Sequence, residues 1–309
     1  MMEAMEKNGE SMILALFGNP VSQSLSPCMH NRALRLMGLQ GQYVPFLVDD
    51  LAGAVRAVRA LHIRGVSVTI PFKEEVMGLL DEIDEHARSI GSVNTIFNDG
   101  QILKGFNTDW KGIETALLGK MEIREKSFVL IGSGGTTRAA LYAVCRNGGK
   151  AVIVSRNEEK GQTLAKEFGC EWQSPGKSGR LAGDCLINTT SVGMVPQGEQ
   201  IPVPEETARG FHFVMDAVYN PPETRLLRVA QQAEPVAAQR RQCGHARADV
   251  DEVEVQLALL LPVAALVLQA QLPRAQAQRA RELQRVPGRA QAAEPGRGDA
   301  RQPLVLGRE

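Results

Sequence analysis

Short apolar runs alternate with stretches of helical period from about residue 12 to about residue 230, and this alternation restricts the chain to few folds. Met12-Ile13-Leu14-Ala15-Leu16-Phe17-Gly18 has the composition of a buried strand stopped by glycine. Pro27 suits the first turn of a helix, and a helical period follows to Met37, stopped by Gly38. A strand over Tyr43 to Val48, a helix over Leu51 to Leu61 and a strand over Gly65 to Ile70 continue the alternation. Helices are expected over Glu74 to Leu80 and Asp84 to Ile90. Val93 to Phe97 and Gln101 to Phe106 flank Asn98-Asp99-Gly100, a hairpin signal because Asp-Gly adopts the left-handed conformations of a tight turn. Strands alternating with helices predict an α/β fold whose sheets are largely parallel, since a helix crossover returns the chain to the same end of the sheet.

A second unit of this kind opens after a connecting helix, Trp110 to Leu118. The strand Phe128-Val129-Leu130-Ile131 runs into Gly132-Ser133-Gly134-Gly135-Thr136-Thr137-Arg138, and then into a helix ended by Gly148-Gly149. Further strands are expected at Ala151 to Val154, Cys185 to Asn188 and Phe213 to Asp216. A glycine turn between strand and helix lets backbone amides approach a pyrophosphate at the helix N-terminus. Thr137 stands in the place of the third glycine of the usual fingerprint, so the context carries this assignment more than the motif does. The next strand ends in Ser155-Arg156-Asn157 with Lys160 beyond it. An acidic residue there would suit the ribose hydroxyls of NAD, whereas an arginine accommodates the 2′-phosphate of NADP. Arg156 as a merely solvated charge is the competing reading.

Two polar groups stand where chemistry gathers in α/β proteins, at the carboxyl ends of strands. Val68-Thr69-Ile70-Pro71-Phe72-Lys73 delivers a lysine behind a proline, and Asn107-Thr108-Asp109 supplies a carboxylate one small domain later. Together they make a candidate acid/base pair, because a lysine whose charge is balanced by a carboxylate can move a proton. A surface lysine and a helix-capping aspartate are the bland alternatives. Ser22-Gln23-Ser24-Leu25-Ser26-Pro27 reads either as a turn with Ser26 as helix cap or as a row of hydroxyls facing a polyol or carboxylate. Asn94, Thr95 and Asn107 offer further uncharged donors, and no arginine occurs in these motifs, which argues against a phosphorylated substrate. Asn188-Thr189-Thr190-Ser191 ends another strand close to where a nicotinamide would lie, and Tyr219 is a substrate contact or a packed aromatic.

These motifs, in this order, resemble the shikimate dehydrogenase family over about Ile13 to Ala230: Gly18-x-Pro20 with Ser24-x-Ser26-Pro27, Val68 to Lys73, Val93-Asn94-Thr95, Asn107-Thr108-Asp109, the glycine turn, Asn188-x-Thr190-Ser191 and Asp216-x-x-Tyr219. The resemblance implies a mixed, mainly parallel substrate domain followed by a Rossmann-like NADP-binding domain. It implies reversible, NADP-dependent reduction of 3-dehydroshikimate to shikimate, in chorismate and aromatic amino acid biosynthesis. Lys73 and Asp109 are then the catalytic pair. Ser24, Ser26, Thr69, Asn94, Asp109 and Tyr219 would hold substrate, and Gly132, Gly134, Gly135, Ser155, Arg156, Asn157, Lys160 and Thr190 would hold NADP. The expected divisions are residues 1–110 for substrate and 111–232 for NADP. A quinate/shikimate enzyme using NAD, and an impaired NADP-binding remnant, are the alternatives. The chain departs from the family pattern at Ser67, where many members carry asparagine, and at Trp110, where glycine is common.

The remainder of the chain differs in character. Residues 233–309 lack Ser, Thr, Asn, Lys, Ile, Met, Phe, Tyr and Trp, leaving mostly Ala, Arg, Gln, Leu, Val, Pro and Gly. Val253 to Leu272 is apolar but interrupted by Glu254, Gln256, Pro262, Gln269 and Gln271, which opposes a membrane span. Low-complexity disorder is a better physical reading. The joint loss of residues with A/T-rich codons favours a GC-rich gene read in a shifted frame, and it leaves no counterpart of the family's C-terminal substrate-binding glutamine. Over the whole chain 35 basic residues balance 35 acidic ones, which gives no reason to expect nucleic acid or an anionic membrane as partner. Five cysteines without Cys-x-x-Cys spacing suggest reduced thiols and no metal site, and Met1 to Ser11 lacks an apolar signal core. A cytoplasmic monomer or homodimer acting on a small molecule is the resulting expectation.

Overall fold

The computed structural model describes residues 12–176 and 181–232. The N-terminal residues Met1 to Ser11, the apolar run from Val253, the compositional change after Ala233 and Cys243 all lie outside the described residues.

Two sheets organise the described chain, one of six strands in the order β2-β1-β3-β5-β6-β4 and one of five in the order β11-β10-β7-β8-β9. In the first, β1 (Met12–Gly18) pairs in parallel with both β2 (Gly41–Leu47) and β3 (Gly65–Val68). Helices α1 (Ser26–Leu36) and α2 (Leu51–Ala60) make the crossovers. The expected hairpin forms as β5 (Thr95–Asn98) and β6 (Leu103–Phe106), antiparallel to each other, and β5 is antiparallel to β3. The first sheet is therefore mixed. Its edge strand β4 (Glu82–Ile83) is too short to carry a period and was not legible in the sequence. Between β3 and β4, Glu75–Leu79 forms a tight 3₁₀ turn where a full helix was expected, and α3 (Glu85–Ile90) follows. Ala15, Phe17, Val55, Val66, Val68 and Ile96 build the core of this unit.

Helix α4 (Asp109–Leu118) leads into the second unit. There β7 (Ser127–Ile131), α5 (Gly135–Arg146), β8 (Lys150–Val154), α6 (Glu158–Phe168) and β9 (Glu171–Gln173) run on one side of β7. On its other side lie β10 (Cys185–Asn188) and, after α7 (Glu205–Ala208), β11 (Phe213–Asp216). The chain ends its described course in α8 (Arg225–Gln231). All pairings in this sheet are parallel, as the near-continuous apolar runs require. The pleat sorts β7 by alternate residues: Phe128 and Leu130 enter one core with Leu141, Val144 and Ile153, while Val129 and Ile131 enter the other with Leu186, Leu226 and Val229. Each such fully buried side chain contributes about 1.5–3 kcal/mol relative to exposure. Trp110, Ile113 and Leu117 pack into the first of these cores, so α4 belongs by burial to the second unit.

The order 11-10-7-8-9 places the reversal of strand order between β7 and β10. A crevice outside the carboxyl ends of these strands is the place where an open parallel sheet receives a ligand. Among the described residues no helix is long and apolar enough to cross a membrane.

Candidate active site

Lys73 is fixed by its backbone before its side chain is considered. Past the end of β3 the chain turns, with the Phe72 N–H bonded to the Thr69 carbonyl at 3.0 Å and the Phe72 ring buried as an anchor. The Lys73 carbonyl accepts from the Val93 N–H at 2.7 Å, which ties it to the strand region that carries Asn94. Its ammonium then lies 2.7 Å from Asp109 Oδ2 and 3.4 Å from the hydroxyl of Thr136. An ammonium has three donors, so one is left for a ligand beyond these two partners.

Asp109 is oriented from its other oxygen. Asn94 donates its amide to Asp109 Oδ1 at 2.7 Å and to the Thr108 hydroxyl at 2.9 Å, and its carbonyl oxygen accepts the Thr108 N–H at 2.9 Å. The Asp109 N–H donates to Asn107 Oδ1 at 3.0 Å, and Asn107 in turn donates to Ser92. Asp109 is the first residue of α4 and Thr108 occupies the cap position without a side-chain cap bond, so the capping reading of Asp109 does not hold. Ser26 likewise is the first residue of α1 and not its cap, and its N–H donates to Ser24 Oγ. Both sides of the ion pair are 14% exposed, enough shielding to strengthen the pair while leaving a face open to the cavity.

That cavity, about 280 Å³, is lined by Ser24, Ser26, Thr69, Lys73, Asn94 and Asp109 from the first unit and by Thr190 and Tyr219 from the second. Every residue expected to hold substrate or to act on it therefore faces one space. The sequence did not single out Thr136, Gln23 or His30, which also line it. A lone histidine on a helix reads as core, and Thr136 reaches Lys73 only through the tertiary fold.

A second cavity of about 1030 Å³ opens at the carboxyl ends of β7 and β8 and shares Thr190 with the first. Gly132, Ser155, Arg156 and Asn157 line it, as expected. Gly132 has φ +128°, and a Cβ there would meet the Thr189 and Thr137 hydroxyls at 2.7 and 2.8 Å, so no side chain fits. Those two hydroxyls bond each other at 2.7 Å across the reversal point. Ser155 and Asn157 line the cavity with the Ser155 hydroxyl and the Asn157 side-chain oxygen already in use. The Ser155 hydroxyl accepts from Trp172 and donates to the Asn157 carbonyl, while Asn157 Oδ1 caps α6 by accepting the Lys160 N–H. Gly134, Gly135 and Lys160 are not part of this lining. Gly134 is the cap position of α5, and Gly135 packs against Lys73, where an added Cβ would stand 3.0 Å from that lysine's Cβ. Lys160 is exposed in the first turn of α6. Arg225, a lining residue the sequence did not suggest, already binds Glu205 and the Glu199 carbonyl. Arg156 is exposed at the cavity wall, with no side-chain partner among the described residues.

The loops that bring Thr190 and Tyr219 to the site are tied together at Asp216. Its Oδ1 accepts from the Asn188 amide and the Val218 N–H, each at 2.9 Å, and its Oδ2 accepts the Thr224 hydroxyl at 2.8 Å. Asn188 Oδ1 accepts the Thr190 hydroxyl at 2.7 Å. Burial pushes the Asp216 carboxyl up to about 6, against the pull of its three donors.

The comparisons agree with this geometry. Residues 16–96 match the family model described as the shikimate dehydrogenase substrate binding domain. A shikimate dehydrogenase (NADP(+)) of Caldanaerobacter subterraneus subsp. tengcongensis is 38% identical over 240 residues, covering 74% of this chain and 85% of the relative. The crystal structure of shikimate dehydrogenase from Aquifex aeolicus superposes with a TM-score of 0.72 at 30% identity, over 88% of this chain and 98% of that one. Shikimate 5-dehydrogenase from Thermus thermophilus, in complex with NADP(H) and shikimate, gives 0.67 at 31% identity, over 87% and 99% of the two chains. Relatives matched over most of their length, on a fold that assembles the lysine–aspartate pair at one cavity, leave a single assignment: the chain belongs to the shikimate dehydrogenase family.

Proposed function

We propose that this protein catalyses the reversible NADP-dependent reduction of 3-dehydroshikimate to shikimate, a step in chorismate and aromatic amino acid biosynthesis. The observation that carries the reading is the 2.7 Å contact between Lys73 and Asp109 in a cavity that shares Thr190 as a wall with the larger one beside the glycine turn.

The larger cavity fits a dinucleotide on its own features. Gly132 leaves the backbone bare at the end of β7, the N-terminus of α5 follows, and Arg156 offers an unengaged guanidinium where an acidic residue would select against a 2′-phosphate. Gly132, Arg156 and Thr190 carry this role by position; Ser155 and Asn157 shape the wall, and Gly134 and Gly135 set the turn. Lys160 would contribute charge from the first turn of α6. NADP, when bound, supplies or takes up the hydride. Relatives named for NADP(+) do not favour the NAD-using alternative.

Ser24, Ser26, Thr69, Asn94 and Tyr219 would hold the ring by its hydroxyls and carboxylate. Lys73 would give a proton to the carbonyl oxygen during reduction and take it back during oxidation. Asp109 would hold the ammonium in place and balance its charge, itself oriented by Asn94. On this reading residues 1–110 serve the substrate and residues 111–232 serve NADP, a division that falls inside the first turn of α4, and the protein acts in the cytoplasm as a monomer or homodimer.

Purified full-length protein given shikimate and NADP should raise the near-ultraviolet absorbance of NADPH. Lys73→Ala should lower kcat by about 10²–10⁴-fold, the range for removing a positioned acid/base. No NADPH formation by the wild-type protein, or undiminished turnover by the variant, would remove the proposal.

A further inference from the structure

Native proteins leave few buried polar atoms unpaired, and each exception calls for a physical reason. Among the described residues such atoms occur on Gln23, His30, Tyr43, Ser67 and Arg138, and all but the last belong to one neighbourhood. Gln23, His30 and Ser67 line the smaller cavity. The Tyr43 ring stacks on the His30 ring at 4.2 Å with an interplanar angle of 19°, and its hydroxyl faces Ser26 and Ser67.

The chemistry of His30 is fixed by one contact. Its Nδ1 lies 2.9 Å from the Ser26 carbonyl oxygen, and a carbonyl only accepts, so Nδ1 carries the hydrogen. Burial lowers the basicity of the imidazole, which keeps the ring neutral. In a neutral ring the other nitrogen is then an acceptor and nothing else. Nε2 is thus a lone pair on a side chain only 3% exposed, in a cavity wall, without a donor. Stacking on Tyr43 prevents the ring from turning to find one elsewhere.

We propose that His30 determines specificity in this cavity, its Nε2 accepting a hydrogen bond from a hydroxyl group of the bound ring. This rests on the assignment of the cavity to a shikimate-type substrate. A carboxylate or ketone cannot satisfy Nε2, because neither offers a hydrogen. A ring hydroxyl does, and its oxygen can in turn accept from the Ser67 hydroxyl, which lines the same cavity. One hydroxyl would thereby complete two otherwise unsatisfied groups, His30 Nε2 and the Ser67 hydroxyl. A site built to bond a hydroxyl discriminates strongly against an analogue that lacks it, because the buried partners are then stranded.

The test uses the full-length protein labelled with ¹⁵N-histidine. The Nε2 resonance of His30, assigned by its loss in His30→Gln, should move upfield on addition of shikimate and stay in place with NADP alone. His30→Phe keeps the stacking ring and removes the acceptor. It should raise KM for shikimate about tenfold or more with KM for NADP unchanged, and His30→Gln, which restores an acceptor oxygen, should recover most of that loss. An Nε2 resonance unmoved by shikimate, or a shikimate KM unchanged in His30→Phe, would overturn the proposal. If His30→Phe does not fold, the resonance of the wild-type protein decides alone. Failure of the wild-type protein to turn over shikimate would instead refute the assignment of the cavity.

Discussion

Replacing Asp216 by asparagine should remove a pH dependence of stability that burial imposes on this one carboxylate. A shift from the ordinary 3.8 to about 6 corresponds to about 3 kcal/mol, at about 1.36 kcal/mol per pH unit. Partial solvent access reduces this to about 2 kcal/mol. The direction follows from proton binding. The folded protein holds this proton more tightly than the unfolded chain does, so the contribution to stability is full below pH 3.8 and is lost as pH rises through about 6. Asparagine keeps an oxygen for the Asn188 and Val218 donors, and its amide can donate to Thr224, whose hydroxyl reverses. Urea unfolding of both proteins between pH 4.5 and 7.5 measures the difference, with an unchanged m-value as the check on compactness. Asp81 and Asp184 sit below the usual carboxylate range, chiefly through backbone N–H bonds from Leu103 and Ser127, and slope the other way. Both proteins share those slopes, so they cancel. Stability of wild type relative to Asp216→Asn should fall by about 1–2 kcal/mol across this range, which starts above pH 3.8 and so samples only part of the whole contribution. A flat difference, or one that rises with pH, would show that the three donors outweigh burial and refute the reasoning.

Two further substitutions probe the larger cavity. Arg156→Asp should weaken NADP by about ten- to a hundredfold, the worth of a hydrogen bond to a charged group, and NAD far less; equal losses in the two KM values would remove the case for a 2′-phosphate at this position. Gly132→Ala places a Cβ against the Thr137–Thr189 hydroxyl pair at φ +128°, and should destabilise the protein by about 2–4 kcal/mol and abolish NADP binding, as thermal unfolding with and without NADP would report.

The parts of the fold legible in the sequence are those whose signal is local. Asp99-Gly100 announced the β5–β6 hairpin, and Gly100 takes the positive φ, +102°, that the turn requires. Buried parallel strands such as β7 and β10 showed as uninterrupted apolar runs. The short strand β9 did not, because three residues cannot display a period, and Trp172 is its only apolar residue. Helix α6 carries a cap at Asn157 and a stop at Gly169, but a polar strand end reads equally as a set of cofactor contacts, so Lys160 was expected in a cavity it does not line. In the site, residues adjacent to strand ends were found: Lys73, Asn94 and Asp109 converge as expected. His30 and Thr136 were missed because their places in the cavity wall are set by distant partners, Tyr43 and Lys73, that no spacing in the chain reveals.

Gly135 touches Lys73 across the seam between the two sheets, and the Ser92 hydroxyl bonds the Gly135 carbonyl at 3.3 Å beside it. The halves of this enzyme are therefore not interchangeable modules. A chimera that grafts another nucleotide-binding half onto β1 to β6 keeps this contact unstrained only with a bare α-carbon at this position. A side chain there would press on the stem of the lysine that faces the aspartate, and Lys73 would have to give by a few tenths of an ångström.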